Sequence, residues 1–167
     1  TLVIDTQFLD RLEAVAEELT HLERCVVYPA RPDTVPPTIA ARFELLDYDM
    51  LLSDVESRFD GGPSFNEMIG IMYTSGTTGT SKGVMVCHAH AYRYASNVAK
   101  NHEVTEKDNY YTAGLPLFHI AGQWGVVYAS MMCGATTILR RGYRNNYFWP
   151  DIAAHCGTVV FMLGAIA

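Results

Sequence analysis

The chain has 167 residues, 12 Lys+Arg against 18 Asp+Glu, a net charge of −6, and 49% hydrophobic content. That composition excludes a disordered tail, which needs few apolar residues and much charge. It also excludes a general nucleic-acid binder, because an acidic chain lacks the cationic excess that neutralises phosphates. In chain order, Phe8, Leu12, Val15, Leu19 and Leu22 step by four, three, four and three, which predicts an amphipathic helix capped by Asp5 or Thr6. Cys25 to Tyr28 reads as a short strand, and Pro29, Pro32, Pro36 and Pro37 as an extended connection. Tyr48 to Arg58 reads as a second helix, followed by an Asp60-Gly61-Gly62-Pro63 loop.

Met68 to Thr74 is an apolar, β-compatible run. A Gly/Ser/Thr loop separates it from a second short strand, Val84 to Cys87, and helical spacing resumes from His88 to Lys100. Tyr110 to His119 reads as a strand running into a loop, Ile120 to Met132 as a buried helix, and Ala135 to Leu139 as a strand. Phe148 to His155 suggests a helix with Pro150 in its first turn, and Thr158 to Phe161 a last strand. Strands alternating with helices predict an α/β layered fold. By length the chain is one ordinary domain.

Thr112 to Leu139 contains no charged residue, long enough to raise the question of a membrane span. Gly114, Pro116, His119, Gly122, Gln123, Gly125 and Gly134 punctuate it, so the expectation is the buried middle of an α/β protein, without a membrane span. Cys25, Cys87, Cys133 and Cys156 form no CxxC pair and read as reduced thiols of a cytoplasmic protein. Thr1 in place of Met, and the uncharged run Gly157 to Ala167, suggest a piece of something longer.

The most informative stretch is Tyr73 to Gly83, YTSGTTGTSKG. Gly76, Gly79 and Gly83 let backbone N–H groups approach an anion. Thr74, Ser75, Thr77, Thr78 and Ser81 offer hydroxyls, and Lys82 a compact positive charge. The loop is suited to a polyphosphate. It is no Walker A loop, because Ser81 precedes Lys82, Gly83 follows it, and the next run is β-like. Composition alone leaves a flexible, glycine-rich surface loop as the other reading.

YTSGTTGTSKG resembles the phosphate-binding signature of the adenylate-forming (AMP-binding) superfamily, which comprises acyl-CoA synthetases, peptide-synthetase adenylation domains and luciferases. All but one position fits, the departure being Ser81 where the family has proline. His88, at the head of the next helix, and LPLFHIAGQ (Leu115 to Gln123) resemble two further family features. The wording around Leu115 to Gln123 and Phe148 to Ala167 is most similar to crotonobetaine/carnitine-CoA and fatty acyl-CoA ligase-like members.

The resemblance implies a ligase that uses ATP, Mg²⁺ and coenzyme A. It activates a small-molecule carboxylic acid to acyl-AMP, then forms a thioester. It implies catalytic roles for Lys82 and His119, and nucleotide contacts from Thr74, Ser75, Gly76, Thr77, Thr78, Gly79, Ser81, Lys82 and Gly83. Thr78 would lie near the metal-bound phosphates, and Phe118, His119, Gly122 and Gln123 would line the acid pocket.

The chain holds no Tyr-Gly-x-Thr-Glu or Thr-Gly-Asp motif and no terminal lysine-bearing domain. It is therefore expected to be a slice of the large N-terminal domain, truncated at both ends and inactive alone. Two other functions stay open: an adenylation domain loading an amino or aryl acid onto a carrier protein, and a noncatalytic nucleotide-binding or interaction module. An oligomer is possible. His88 and His90 could suggest zinc, but no further ligand pair has suitable spacing. His102 and His155 read as surface or helix-end residues. Tyr110, Tyr111, Trp124, Tyr143, Tyr147, Phe148 and Trp149 read as core and interface packing.

Overall fold

The computed structural model describes residues 1–29, 35–52, 61–74 and 79–164. Two compact units divide the chain, Thr1–Asp60 and Gly61–Ala167.

The first unit is built on a parallel sheet of β1 (Leu2–Asp5), β2 (Arg24–Tyr28) and β3 (Glu44–Leu46), with β2 in the centre. A central parallel strand is covered on both faces. Accordingly Cys25, Val26 and Val27 are all buried, and desolvation pushes the Cys25 thiol up. Helix α1 (Leu9–Val15) lies between two short 3₁₀ turns, Thr6–Phe8 and Ala16–Glu18. Asp5 caps the first turn by accepting from the Gln7 N–H at 3.0 Å, as the sequence suggested.

The expected long helix from Phe8 to Leu22 is therefore much shorter. Its buried stripe is Leu9, Leu12 and Ala16, while Phe8 and Val15 are exposed. The tighter 3₁₀ turns shift the phase of the apolar positions relative to a uniform α-helix. Pro36 keeps extended backbone angles, φ −54° and ψ 137°, as expected, whereas Pro37 does not extend the chain. They open helix α2 (Pro37–Arg42), Pro36 at the N-cap and Pro37 in the first turn, where a missing N–H costs nothing. Helix α3 (Tyr48–Leu51) begins where the second helix was expected, and residues 53–58 of that expectation lie outside the described residues.

In the second unit, β4 (Met68–Thr74) and β5 (Lys82–Cys87) form an antiparallel hairpin. Helix α4 (His88–Asn101) follows without a break. Its Ala91, Ala95 and Ala99, one turn apart, form a smooth buried stripe. That stripe admits the next helix closely: a π-helical segment, Ala121–Tyr128, continuing into α5 (Ala129–Cys133). A second parallel sheet has the order β7-β6-β8, from β6 (Asn109–Tyr111), β7 (Thr136–Ile138) and β8 (Val159–Val160). Helix α6 (Phe148–Ala154) holds Pro150 in its first turn.

The sheet separates two cores. Tyr110 and Val159 pack with Ala95, Ala99, Val126 and Ala129 on one face. Tyr111 and Val160 pack with Ala113, Phe148 and Ile152 on the other. The uncharged Thr112 to Leu139 stretch is thus loop, helix and strand, and among the described residues no helix is long and apolar enough to cross a membrane.

Loops leaving the ends of β6 and β7 touch at Gly114. Its φ is +74°, and a Cβ there would stand 2.2 Å from both the Gly142 carbonyl carbon and the Tyr143 nitrogen. Those are backbone atoms and cannot swing aside. Gly114→Ala is expected to destabilise the protein by about 2 kcal/mol or more, from left-handed strain plus overlap. Chemical denaturation of the variant against the parent measures it.

Candidate functional site

The hairpin presents the glycine-rich loop. Its register pairs Tyr73 with Gly83 and Thr74 with Lys82, and the Thr74 hydroxyl donates to the Lys82 carbonyl at 3.4 Å. Thr74 and Lys82 therefore flank the loop at its two ends. Lys82 is exposed and, among the described residues, makes no ion pair. Gly83 is required by its neighbour: a Cβ would lie 2.8 Å from Ile71 Cγ2. Gly79 has φ +152° and open space on its Cβ side. Ser81 is exposed beside it. Ser75, Gly76, Thr77 and Thr78 lie outside the described residues. An exposed lysine in a sequence rich in glycine and hydroxyl residues has the chemistry that phosphate oxygens require.

The expected acid-pocket residues sit where the β6 loop enters the π-helical segment. His119 Nδ1 accepts from the Ala121 N–H at 3.1 Å, leaving Nε2 as the ring atom available to a ligand. The Gln123 N–H donates to the His119 carbonyl at 3.0 Å, which starts the helix. Phe118 is 84% exposed; Gln123 is exposed, and Gly122 is buried. A Cβ on Gly122 would come within 2.6 Å of the Pro116 carbonyl oxygen. Gly122 therefore holds the Leu115–His119 loop close by having no side chain. Helix α4 packs against both the hairpin and the π-helical segment, so one rigid element supports both groups.

His90, His102 and His155 have structural partners in Cys87, Tyr110 and Asp151. Cys87 is the N-cap of α4, and its N–H donates to His90 Nδ1 at 3.3 Å. Among the described residues no group of three His, Cys, Asp or Glu could hold a metal. His102 and His155 both end helices. Tyr110, Tyr111, Trp124 and Phe148 are buried as expected, whereas Tyr143, Tyr147 and Trp149 are exposed. All four cysteines are free.

One charged network was not foreseen. Arg140, after β7, forks onto Asp151 of α6, with Nη2 to Oδ1 at 2.6 Å and Nε donating to Oδ2. The Tyr111 hydroxyl also donates to Asp151 Oδ2, at 2.7 Å. His155 Nε2 lies 3.4 Å from Asp151 Oδ1. Hydrogen bonds from Arg140 and Tyr111 hold the Asp151 carboxyl down at about 2, from an ordinary 3.8. The run RRGYR (Arg140 to Arg144) was its signal in the sequence, a dense cationic stretch in an acidic chain.

A parallel α/β sheet, an antiparallel glycine-rich hairpin with its lysine, and a histidine at the mouth of the next helix define an adenylate-forming class of protein. The chain belongs to the AMP-binding enzyme family, whose model matches residues 2–167. It is 30% identical over 155 residues to the long-chain fatty acid transport protein 1 of Rattus norvegicus, covering 92% of this chain and 24% of that protein. It is 32% identical over 143 residues to the 3-methylmercaptopropionyl-CoA ligase of Ruegeria pomeroyi, covering 83% of this chain and 25% of the other. The fold matches an o-succinylbenzoate coenzyme A synthetase from Bacillus subtilis, solved with ATP and magnesium ion, at a TM-score of 0.66 and 24% identity, over 98% of this chain and 33% of that one. The chain spans about a quarter of the length of these two curated relatives.

The low carboxyl value of Asp151 makes stability depend on pH. As pH falls, the unfolded chain takes up this proton before the folded one does. The stabilisation is therefore complete above about pH 4 and fades toward about pH 2. Unfolding midpoints of the parent and Asp151→Asn, followed from about pH 5 to about pH 2, should differ most at the upper end and converge at the lower.

Proposed function

We propose that the protein carrying this chain activates a carboxylic acid with ATP and transfers the acyl group to coenzyme A. The carrying observation is the hairpin: Lys82, exposed and in no ion pair among the described residues, stands in register with Thr74 at the two ends of the glycine-rich sequence, in a chain of the AMP-binding enzyme family. A carboxylate oxygen attacks the α-phosphorus of ATP, the bond to the bridging oxygen breaks, and pyrophosphate leaves with the electron pair. Negative charge grows on the leaving group. Lys82 and the loop's N–H and hydroxyl groups stabilise it there.

Mg²⁺, when bound, would neutralise phosphate oxygens. Thr78 is the hydroxyl this reading places nearest to it. In the second step a thiolate attacks the acyl carbon and AMP departs.

His119 orients the acid through Nε2, because its Nδ1 is held by the Ala121 N–H. Exposed Leu117 and Phe118 support an apolar acyl group. So does the match to a long-chain fatty acid transport protein across nearly all of the chain. Relatives named as CoA ligases support coenzyme A over a carrier protein as acceptor. Four free cysteines support a reducing, cytoplasmic setting. The 167 residues alone would not turn over, because the chain lacks the later motifs named above.

Lys82→Ala in the intact protein should lower carboxylate-dependent ATP–pyrophosphate exchange by about a hundredfold to a thousandfold while the fold is kept. Exchange that survives the substitution, or a parent that shows none with any carboxylate, would remove this reading.

A further inference from the structure

The loop that carries His119 is held at its root by one buried residue. Thr112 follows β6 directly and is 1% exposed. Its N–H and its hydroxyl both donate to the Ile138 carbonyl, each at 3.1 Å. The same hydroxyl oxygen accepts the Arg140 N–H at 3.1 Å. Thr112 thus joins the carboxyl ends of β6 and β7 just beyond Tyr111 and Ile138, where their strand pairing stops. Its carbonyl accepts from the Leu115 N–H at 2.9 Å and closes the turn in front of Leu115.

That turn is strained. Ala113 and Gly114 both have positive φ, +51° and +74°. Glycine tolerates this region, whereas alanine crowds its own Cβ there. Ala113 is nonetheless buried in the core beside Tyr111 and Phe148. A strained residue persists only where its surroundings over-determine it. The bonds of Thr112 to Ile138 and Arg140, and the close contact of Gly114 with Gly142, do so here.

From the turn, contacts run on to His119. The His119 N–H donates to the Pro116 carbonyl at 3.1 Å, and His119 Nδ1 accepts from the Ala121 N–H at 3.1 Å. Because Nδ1 accepts, Nε2 carries the ring proton of the neutral imidazole. A group that orients a substrate has to be held to within about 0.5 Å, by neighbours that are themselves locked.

We propose that Thr112 is a positioning residue: by locking the strained Ala113–Gly114 turn to the end of β7, it aims His119 Nε2 at the substrate carboxylate. It acts through His119 and does not touch the acid. The carboxylate rests on the reading given under Proposed function, whereas the lock rests on the hydrogen bonds of Thr112 alone.

Three variants of the intact protein test it. Thr112→Val keeps the side-chain shape and removes the hydroxyl, Thr112→Ser keeps the hydroxyl, and Ala113→Gly relaxes the turn with Thr112 in place. The first readout is amide hydrogen exchange. Thr112→Val and Ala113→Gly should each speed exchange at least about tenfold, confined to Leu115–Ala121, and Thr112→Ser should match the parent. The second is ATP–pyrophosphate exchange with octanoate and palmitate as probe carboxylates. For each that the parent uses, Thr112→Val and Ala113→Gly should raise its KM about tenfold and leave the KM for ATP unchanged, with Thr112→Ser restoring the parental value. Should Thr112→Val not fold, Ala113→Gly carries both readouts. Parental protection in both variants, faster exchange throughout the second unit, or equal KM increases for ATP and carboxylate would each overturn the proposal. A parent that exchanges pyrophosphate with no carboxylate removes the ligase reading, and hydrogen exchange then decides the lock by itself.

Discussion

The second unit depends on one short strand. β6 is three residues long, and its two tyrosines point to opposite faces of the sheet. Each ring anchors one of the two cores and each hydroxyl reaches a titratable group. Tyr110 bonds His102 Nδ1 at 2.5 Å, and Tyr111 donates to Asp151. Burial pushes both phenols up, so they stay protonated and keep these bonds. A large apolar ring with a polar tip suits this position, because it fills a layer and meets a polar partner at that layer's edge. Helices α4 and α6 are thus tied to the strand by packing and by polar contact.

Everything proposed as functional hangs from elements packed on that strand. The loop leaving β6 carries Phe118 and His119, and α4 supports the hairpin with Lys82. Two cationic features emerge from an acidic chain at separate places. The hairpin lysine is a single flexible charge. Arg140 is a planar fork committed to Asp151 on a fixed backbone.

The sequence was most legible where the local signal was strong. β4 was read to its boundaries because MIGIMYT is uniformly apolar and ends in a loop signal. The antiparallel hairpin followed from β-like residues on both sides of the glycines, and α4 from its helical spacing. Leu2–Asp5 and Glu44–Leu46 were missed because short parallel strands owe their existence to β2 rather than to their own pattern. Pro37 misled because proline signals both an extended segment and a helix start. Phe8 and Val15 misled because 3₁₀ turns at both ends of α1 changed the period. In the site, Lys82 and His119 were visible through their motifs. The Arg140–Asp151–Tyr111 network was not, since its members are distant in sequence and meet only through β6, β7 and α6.

The π-helical segment Ala121–Tyr128 sits between the His119 turn and the regular helix α5. Such a segment closes its ring five residues back instead of four, as the Ala129 N–H does on the Trp124 carbonyl. It therefore takes up more residues per turn than the α-helix it continues into. The two ends of this one helix are rotationally offset from each other. The end with the buried Ala129 and Ser130 is phased by the core against α4, and the end at His119 by the loop from β6. Changes in loop length at the mouth are absorbed in the wide turns without rotating the buried face, so the His119 end can vary while the packed end stays in register.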